Sequence, residues 1–400
     1  MIVFDRLAFL ADIQNSNVDK KSVDSELSVR LANYVDVYYR DVLTDDLDYM
    51  VATASEADIQ KCKLHGGEVI ITKDSESRDD IGIAAYVDDD IHNLVCGYHL
   101  TILRPKARTD GKFLFYCFNS RNLKTQLAVS ANGVTRYGLS QSAIKNLVLP
   151  APPLPTQRAI ARYLDAHTAR IDALIARKQR LLELLAERRA ALITRAVTRG
   201  LDPAAPTYDS GVDWLGEIPV GWEVKRLKHL VDLRSGSTIT SSEIRDTGIF
   251  KVYGGNGLRG YYDNYTHEGD HVLVGRQGHL CGNINYATGQ FWASEHAVVC
   301  NPLTSYPTFW LGELLRTMNL NQYSISAAQP GLAVERIKEL VVPVPPLDQA
   351  REIASLVKTK ISRFETTELT INTSIYHLQE YRSALITAAV NGEVQLPQPE

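Results

Sequence analysis

Leu147-Val148-Leu149-Pro150-Ala151-Pro152-Pro153-Leu154 returns as Leu340-Val341-Val342-Pro343-Val344-Pro345-Pro346-Leu347, an offset of 193 positions. The offset holds without a gap through Arg158/Arg351, Ile160/Ile353 and Ala161/Ala354. It still holds where Arg189-Ala190-Ala191-Leu192-Ile193-Thr194 meets Arg382-Ser383-Ala384-Leu385-Ile386-Thr387. A register kept over about 50 residues marks an internal duplication, and such a period organises the reading of everything else.

Each copy of the segment predicts one long helix. The prolines ahead of it cannot sit inside a helix, and Thr156 and Asp348 suit N-caps. Apolar residues then recur in steps of four and three: Ile160, Leu164, Ile171, Leu174, Leu181, Leu185 and Leu192. The second copy repeats the ladder with Ile353, Val357, Phe364, Ile371, Leu378, Tyr381 and Leu385. This is the spacing of a coiled-coil seam. The first ladder has defects at His167, Lys178 and Arg188, and Ile371 and Tyr381 occupy the positions equivalent to the last two. Gly200 and Gly392 stop the helices. About 43 residues at 1.5 Å each make a rod about 65 Å long.

The expected organisation is therefore a first module over 1–150, a helix over 151–200, a second module over 201–343, a helix over 344–392 and a tail over 393–400. The modules are only faintly alike. His99 and Pro105 align with His296 and Pro302, Gly82 and Tyr86 with Gly282 and Tyr286, and Gly138-Leu139 with Gly331-Leu332. Short strand-like runs such as Glu68–Thr72 and His271–Gly275, broken by Gly and Asn, predict mixed α/β modules. A pseudo-twofold axis would lay the helices antiparallel with one module at each end. Such an object is a ruler holding two different readers apart, spanning at most about 19 base pairs of duplex.

Composition narrows the class. At 44% hydrophobic and 22% charged residues the chain is an ordinary globular one, long enough for two or three cores. No apolar run reaches the roughly 18 residues of a membrane span, and no signal-peptide pattern opens the chain. Five scattered cysteines argue against a disulfide framework and for a reducing cytoplasm. The net charge of −4 disfavours a general polyanion binder. Its distribution is uneven: residues 156–200 carry ten Lys/Arg against four Asp/Glu, while the flanking blocks are acidic. DNA binding would then rest on local basic loops and be weak in isolation.

This arrangement resembles the specificity subunits of type I restriction-modification systems over essentially the whole chain. The carrying residues are the two Pro-Pro-Leu helix starts with Gln157-Arg158 and Arg351-Glu352-Ile353, and the lead-in Trp214-Leu215-Gly216-Glu217-Ile218-Pro219-Val220-Gly221-Trp222-Glu223-Val224. Tyr253-Gly254-Gly255-Asn256-Gly257 and Val274-Gly275-Arg276-Gln277-Gly278 add to them. The resemblance implies two target-recognition domains, each reading one half of an interrupted double-stranded DNA site. It implies paired helices that set the spacing and dock two methyltransferase subunits, which restriction/translocase subunits can join. S-adenosylmethionine would be bound by the methyltransferase, ATP and Mg²⁺ by the restriction subunit, and no cofactor by this chain. One departure stands out. The first module has only Arg6–Asp12 to set against the lead-in from Trp214, so its opening strand is either missing or supplied from elsewhere.

Arg276 and Gln277 follow a strand, and Arg pairs with guanine as Gln does with adenine; an ordinary hairpin turn with a solvated Arg fits the same residues. In Asn256-Gly257-Leu258-Arg259-Gly260-Tyr261-Tyr262 glycines allow close approach to phosphate while Asn256, Arg259 and Tyr261 offer polar groups, and Lys251 and Tyr253 precede them. A flexible loop with core tyrosines is the alternative. In the first module Lys73, Ser75, Ser77 and Arg78 occupy the comparable turn, which is also charge-balanced, and Arg136 and Tyr137 sit in a second candidate contact loop. Gln329 is the further candidate of the second module. On the first helix Arg177, Arg180 and Arg188 are candidates for subunit docking, or simply a solvated helix face.

Catalytic machinery is not legible. No phosphate loop of the G-x-x-x-x-G-K-[ST] type, no Asn/Asp-Pro-Pro-aromatic segment and no glycine-rich strand-helix turn for S-adenosylmethionine occurs. His92, Cys96 and His99, and His267, His271, His279 and Cys281, lack zinc-ligand spacing. Matching positions give His99 and His296 a shared structural role. The competing function is a coiled-coil scaffold whose end modules bind proteins without touching DNA.

Overall fold

A computed structural model of the chain describes residues 3–278, 280–324 and 331–396. It is a mixed α/β structure of two compact units, one formed by Met1–Lys178 with Asn372–Glu400, the other by Gln179–Ile371. The long helices run over Leu154–Arg199 and Leu347–Val390, so each unit owns part of both.

Both helices begin earlier than the expected caps. The carbonyl of Pro153 already accepts from the N–H groups of Thr156 and Gln157 at 2.9 and 3.1 Å, and that of Pro346 from Ala350 at 3.0 Å. Thr156 and Asp348 therefore lie inside the first turn. Pro155 is tolerated there because a first-turn N–H has no intrahelical acceptor to lose. The stops are as expected, with Gly200 and Gly392 at φ +74° and +68°, the left-handed conformation that ends helices.

In the first unit a five-stranded sheet has the order Ala11–Asn15, Leu100–Pro105, Val69–Thr72, Ala84–Val87, Val42–Leu43. Both of its faces are buried. Val69, Ile71 and Leu103 pack with Phe113, Leu127, Leu164, Leu385 and Val390, while Ile70, Leu100 and Ile102 face the three-stranded sheet that carries Leu31 and Val95. Alternation along the strand explains why Val69-Ile70-Ile71 is apolar throughout.

The second unit repeats the plan. Its four-stranded sheet has the order Val231–Ser235, Ala297–Pro302, His271–Gly275, Ile284–Ala287. Val272 and Val274 pack with Trp310, Val197, Ile353 and Val357, and Leu273 and Val299 pack with Phe291 of a second four-stranded sheet. Register matches between units. Pro105 lies opposite Ala11 as Pro302 lies opposite Val231, and Thr72 opposite Leu100 as Gly275 opposite Ala297.

The first unit does have its opening strand. Phe4–Arg6 pairs antiparallel with Val148–Pro150, and the Leu7 N–H donates to Leu147 O at 2.8 Å. Glu223–Arg226 pairs with Val341–Val344 in the same way, with Leu227 donating to Leu340 O at 2.8 Å. What distinguishes the second unit is the hairpin Thr207–Asp209/Glu217–Pro219 ahead of that strand. The sequence comparison anchored on the Trp214 lead-in and so missed a strand carried by three residues.

The apolar ladder is followed only in part. Ile160, Leu164, Ile171, Ile353, Val357, Ile371 and Leu385 are buried, but Leu174, Leu181 and Tyr381 are 46%, 48% and 57% exposed. Near the helix ends the buried face widens instead to Ile193, Ala196 and Val197, and to Ile386, Ala389 and Val390. There the helix meets the sheet of its unit as well as the other helix, and a wider stripe is needed than a two-helix seam requires.

Leu164→Ala should cost about 3 kcal/mol of unfolding free energy, because Leu164 is fully buried in the first unit; chemical denaturation followed by circular dichroism measures it. Gly282 has φ +85°, and a Cβ there would stand 2.6 Å from the backbone N of Asn321, whereas Gly289 has φ +71° and open space around it. Gly289→Ala should therefore cost about 1 kcal/mol of backbone strain. Gly282→Ala should cost clearly more, visible as the lower Tm of the pair.

Candidate nucleic-acid interface

At the end of one central strand in each unit the same turn is built twice. Thr72 closes the strand Val69–Thr72, with its N–H donating to Ile83 O at 2.9 Å and its carbonyl accepting from Gly82 N–H at 3.1 Å. Gly275 does the same with Asn283 O and Gly282 N–H, both at 2.8 Å. Gly82 and Gly282 have φ +75° and +85°, a conformation glycine adopts without steric cost. The next residue is a cation in both units. The Lys73 N–H donates to His99 O at 3.0 Å and its carbonyl accepts from Leu139 N–H at 2.8 Å; Arg276 repeats this with His296 and Leu332, both at 2.9 Å.

The residue after the cation is held by its side chain. His99 Nδ1 lies 2.9 Å from Asp74 Oδ2, and His296 Nδ1 lies 3.0 Å from Gln277 Oε1. The backbones of Asp74 and Gln277 face Gly138 and Gly331. The shared structural role expected for the two histidines thus takes a specific form: each fixes the second side chain of the turn.

In the first unit Lys73 Nζ also bonds Asp74 Oδ2 at 2.9 Å and lies 5.0 Å from the centre of the Tyr98 ring. Burial pushes the Asp74 carboxyl up, but the hydrogen bonds from His99 and Lys73 outweigh it and hold the group below its ordinary value. The turn is thus charge-balanced internally, and Lys73 is not a bare cation. Arg78 lies 5.0 Å from the centre of the Tyr137 ring, bringing together two candidates 59 positions apart, and Arg136 is exposed beside them. Ser77 is exposed, and its Oγ accepts from Asp79 N–H at 3.3 Å, capping a short turn. Ser75 does not fit the expected contact role. It is buried, pairs in the strand with Tyr137, and its Oγ accepts from Ser77 N–H at 3.2 Å.

In the second unit the tip of the hairpin Phe250–Gly254/Gly257–Tyr262 lies against the duplicated turn. A Cβ on Gly275 would stand 2.3 Å from Gly255 O, and one on Gly255 would stand 3.0 Å from His296 O. Glycine on both sides makes this approach possible. It brings Asn256 to Asn283, whose amide donates to Asn256 Oδ1 at 3.2 Å, while a Cβ on Gly255 would stand 3.6 Å from the Gln277 carbonyl oxygen. Arg276 Nη1 donates to Ser235 Oγ at 3.1 Å. The Arg259 side chain covers Gly254, where an added Cβ would stand 2.4 Å from Arg259 Cδ. Tyr253 packs edge-on against Phe291. Lys251 and Tyr261 face each other in register, three residues before Gly254 and four after Gly257, so they share the hairpin but not its tip.

Gln329 and His279 lie outside the described residues. On the first helix Arg177 and Arg188 are exposed, and Arg180 pairs with Glu183 at 2.6 Å. His267 stacks on Phe291, and His271 approaches the carbonyls of Glu268 and Cys300 at 3.0 and 3.4 Å. The five cysteines are buried free thiols. Sequence reasoning missed Asp74 as a partner of His99, and it missed Tyr34, Tyr98 and Ser235. The repeated His99/His296 was the available signal for the first. Tyr34, near Ser75, has no local sequence mark.

The chain is 36% identical over 171 residues to the type I restriction enzyme EcoprrI specificity subunit of Escherichia coli, a match covering 42% of this chain and 41% of that protein. It is 21% identical over 367 residues to the EcoKI specificity subunit of Escherichia coli strain K12, covering 83% of this chain and 76% of that one. The matched stretches of the EcoprrI, Haemophilus influenzae and first Methanocaldococcus jannaschii relatives span only 31–41% of those proteins' lengths. Two solved structures share the fold at 16% identity. One comes from work on complex assembly and conformational transition of the type I R-M system, with TM-score 0.69 and 98% of both chains covered. The other is the HsdS subunit from Thermoanaerobacter tengcongensis, with TM-score 0.54 and 98% and 97% coverage. The type I restriction modification DNA specificity domain matches twice, over residues 8–184 and 219–377, and the chain belongs to that family.

Proposed function

We propose that this chain is the DNA-reading specificity subunit of a type I restriction-modification complex and performs no chemistry itself. Each unit reads one half of an interrupted double-stranded site. The observation that carries this reading is the turn built twice on one backbone plan with different side chains, Lys73-Asp74 in one unit and Arg276-Gln277 in the other. Two readers of two different half-sites need a common frame and divergent edge groups. A protein-binding scaffold has no need to gather Arg276, Gln277 and Asn256 around one glycine contact, or Lys73, Arg78 and Tyr137 around the other turn.

The long helices act as an antiparallel coiled-coil spacer. Supporting this within the second unit, Arg189 reaches Glu365 at 3.5 Å, and the later Ile193, Ala196 and Val197 share a core with the earlier Ile353, Ala354 and Val357; along these contacts one helix rises in number as the other falls. The exposed faces carrying Arg177, Arg180 and Arg188 dock two methyltransferase subunits, which restriction/translocase subunits can join. A partner flips and methylates the target adenine. S-adenosylmethionine belongs to the methyltransferase, ATP and Mg²⁺ to the restriction subunit, and the complex works in the cytoplasm. The acidic balance of both modules means that basic partners must help close around the DNA.

Methylome sequencing of a host expressing this chain with its methyltransferase, against the methyltransferase alone, tests the reading. A bipartite motif methylated only when both are present is expected. No such motif, from proteins that co-purify, overturns it. Binding measured across a salt series adds a second check: the isolated chain should bind DNA weakly and with little sequence preference near 150 mM salt, about the physiological range.

A further inference from the structure

The duplicated turn separates what the units share from what they do not. Shared are the histidine, the glycine at positive φ, the Gly-Leu pair that closes the turn, and the backbone bonds among them. Different are the cation, Lys73 against Arg276, and the residue behind it, Asp74 against Gln277. In both units the retained histidine turns its Nδ1 onto that variable residue. Packing alone does not account for this, because the imidazoles are partly exposed, 35% and 43% at the side chain. A filler of space also has no reason to hydrogen-bond a side chain that differs between the units.

We infer that Asp74 and Gln277 are the specificity-determining residues of their units, and that His99 and His296 are the positioning residues that aim them. This rests on the DNA-reading function proposed above and says which side chains discriminate. A carboxylate only accepts hydrogen bonds, so Asp74 suits the amino group of cytosine N4 or adenine N6. A carboxamide donates and accepts, the pattern that adenine N6/N7 complements, and the neighbouring Arg276 suits guanine O6/N7. The neighbours sharpen the contrast. Lys73 is bonded to the same Asp74 oxygen as His99, which leaves an acceptor at the first turn. Arg276 bonds the neutral hydroxyl of Ser235, which leaves a cation beside an amide at the second. The first half-site is therefore read at an amino-bearing base edge and the second at a purine edge. The histidine bond holds each reading group in one orientation before DNA arrives, so the ordering entropy is not charged to binding.

The test uses the full chain with its methyltransferase in a host whose genome is then sequenced for methylated adenine. Asp74→Asn and Gln277→Ala should each relax one base position, in opposite halves of the motif, by roughly tenfold in discrimination. His296→Ala should relax the same position as Gln277→Ala, and the double variant should be no worse than the single ones, because both remove one interaction. His296→Asn, whose amide nitrogen stands near the place of Nδ1, should restore the wild-type motif, which a purely structural histidine would not predict. Melting temperatures of the purified variants identify any that misfold, and the near-isosteric Asp74→Asn then carries the test for its own half. A wild-type motif that Asp74→Asn and Gln277→Ala leave unaltered overturns this inference alone. So does a His296→Ala motif relaxed at other positions than the Gln277→Ala motif. Absence of any motif from the wild-type complex overturns the DNA-reading function and this inference with it.

Discussion

The last turns of the second long helix complete a core whose other residues lie more than two hundred positions earlier. Leu385, Ile386, Ala389 and Val390 are buried with Ile160, Leu164 and Ile171 of the first helix and with Val69, Ile71 and Leu103 of the first unit's sheet. The second unit makes the complementary demand, burying Ile193, Ala196 and Val197 with Ile353, Ala354 and Val357. The first unit therefore cannot close its core from one continuous stretch of chain, whereas the second closes its own within Gln179–Ile371 from segments that lie at the two ends of that stretch. The loop-closure cost of bringing such distant segments together grows only slowly with their separation, so the burial gained suffices to hold the arrangement. Arg382, bonded to Asp172 within the first helix and to Asp41 beside the edge strand Val42–Leu43, ties both helices to the sheet of the first unit.

Everything at the candidate interface is built on that core. The central strand of each sheet is buried on both faces, which fixes its register, because a slip of one residue would exchange its two sets of apolar side chains. With the strand fixed, its last residue and the turn after it are fixed too. Lys73 and Arg276 are held by the same pair of backbone hydrogen bonds in both units. The frame is thus indifferent to the side chains it carries, and two units of dissimilar sequence can present different groups from one geometry.

The glycines at this interface act by what they leave out. Gly275 and Gly255 let a hairpin tip approach the second turn to a distance no Cβ would permit. The first unit reaches a comparable concentration of polar groups another way, by laying Arg78 over Tyr137 and Lys73 over Tyr98. The loops are where the modules diverge, and the loops reach the same place by different routes.

The duplication, the two helices, their glycine stops, the mixed α/β character of the modules and the pairing of His99 with His296 were legible in the chain, because each is a matter of local spacing or of one segment compared with another. Local spacing also carried errors. It counted Leu174, Leu181 and Tyr381 into a buried ladder although they are about half exposed, and it placed the helix starts too late. It overlooked the opening strand at Phe4–Arg6. Tertiary structure alone decided which apolar positions widen into a second stripe, since that depends on where a sheet meets the helix. It alone decided that Asp74 sits between His99 and Lys73, that Ser75 is buried, and that Asn256 meets Asn283. Those are meetings of segments twenty to sixty positions apart, made by strand register and glycine contact, and no period in a linear sequence encodes them.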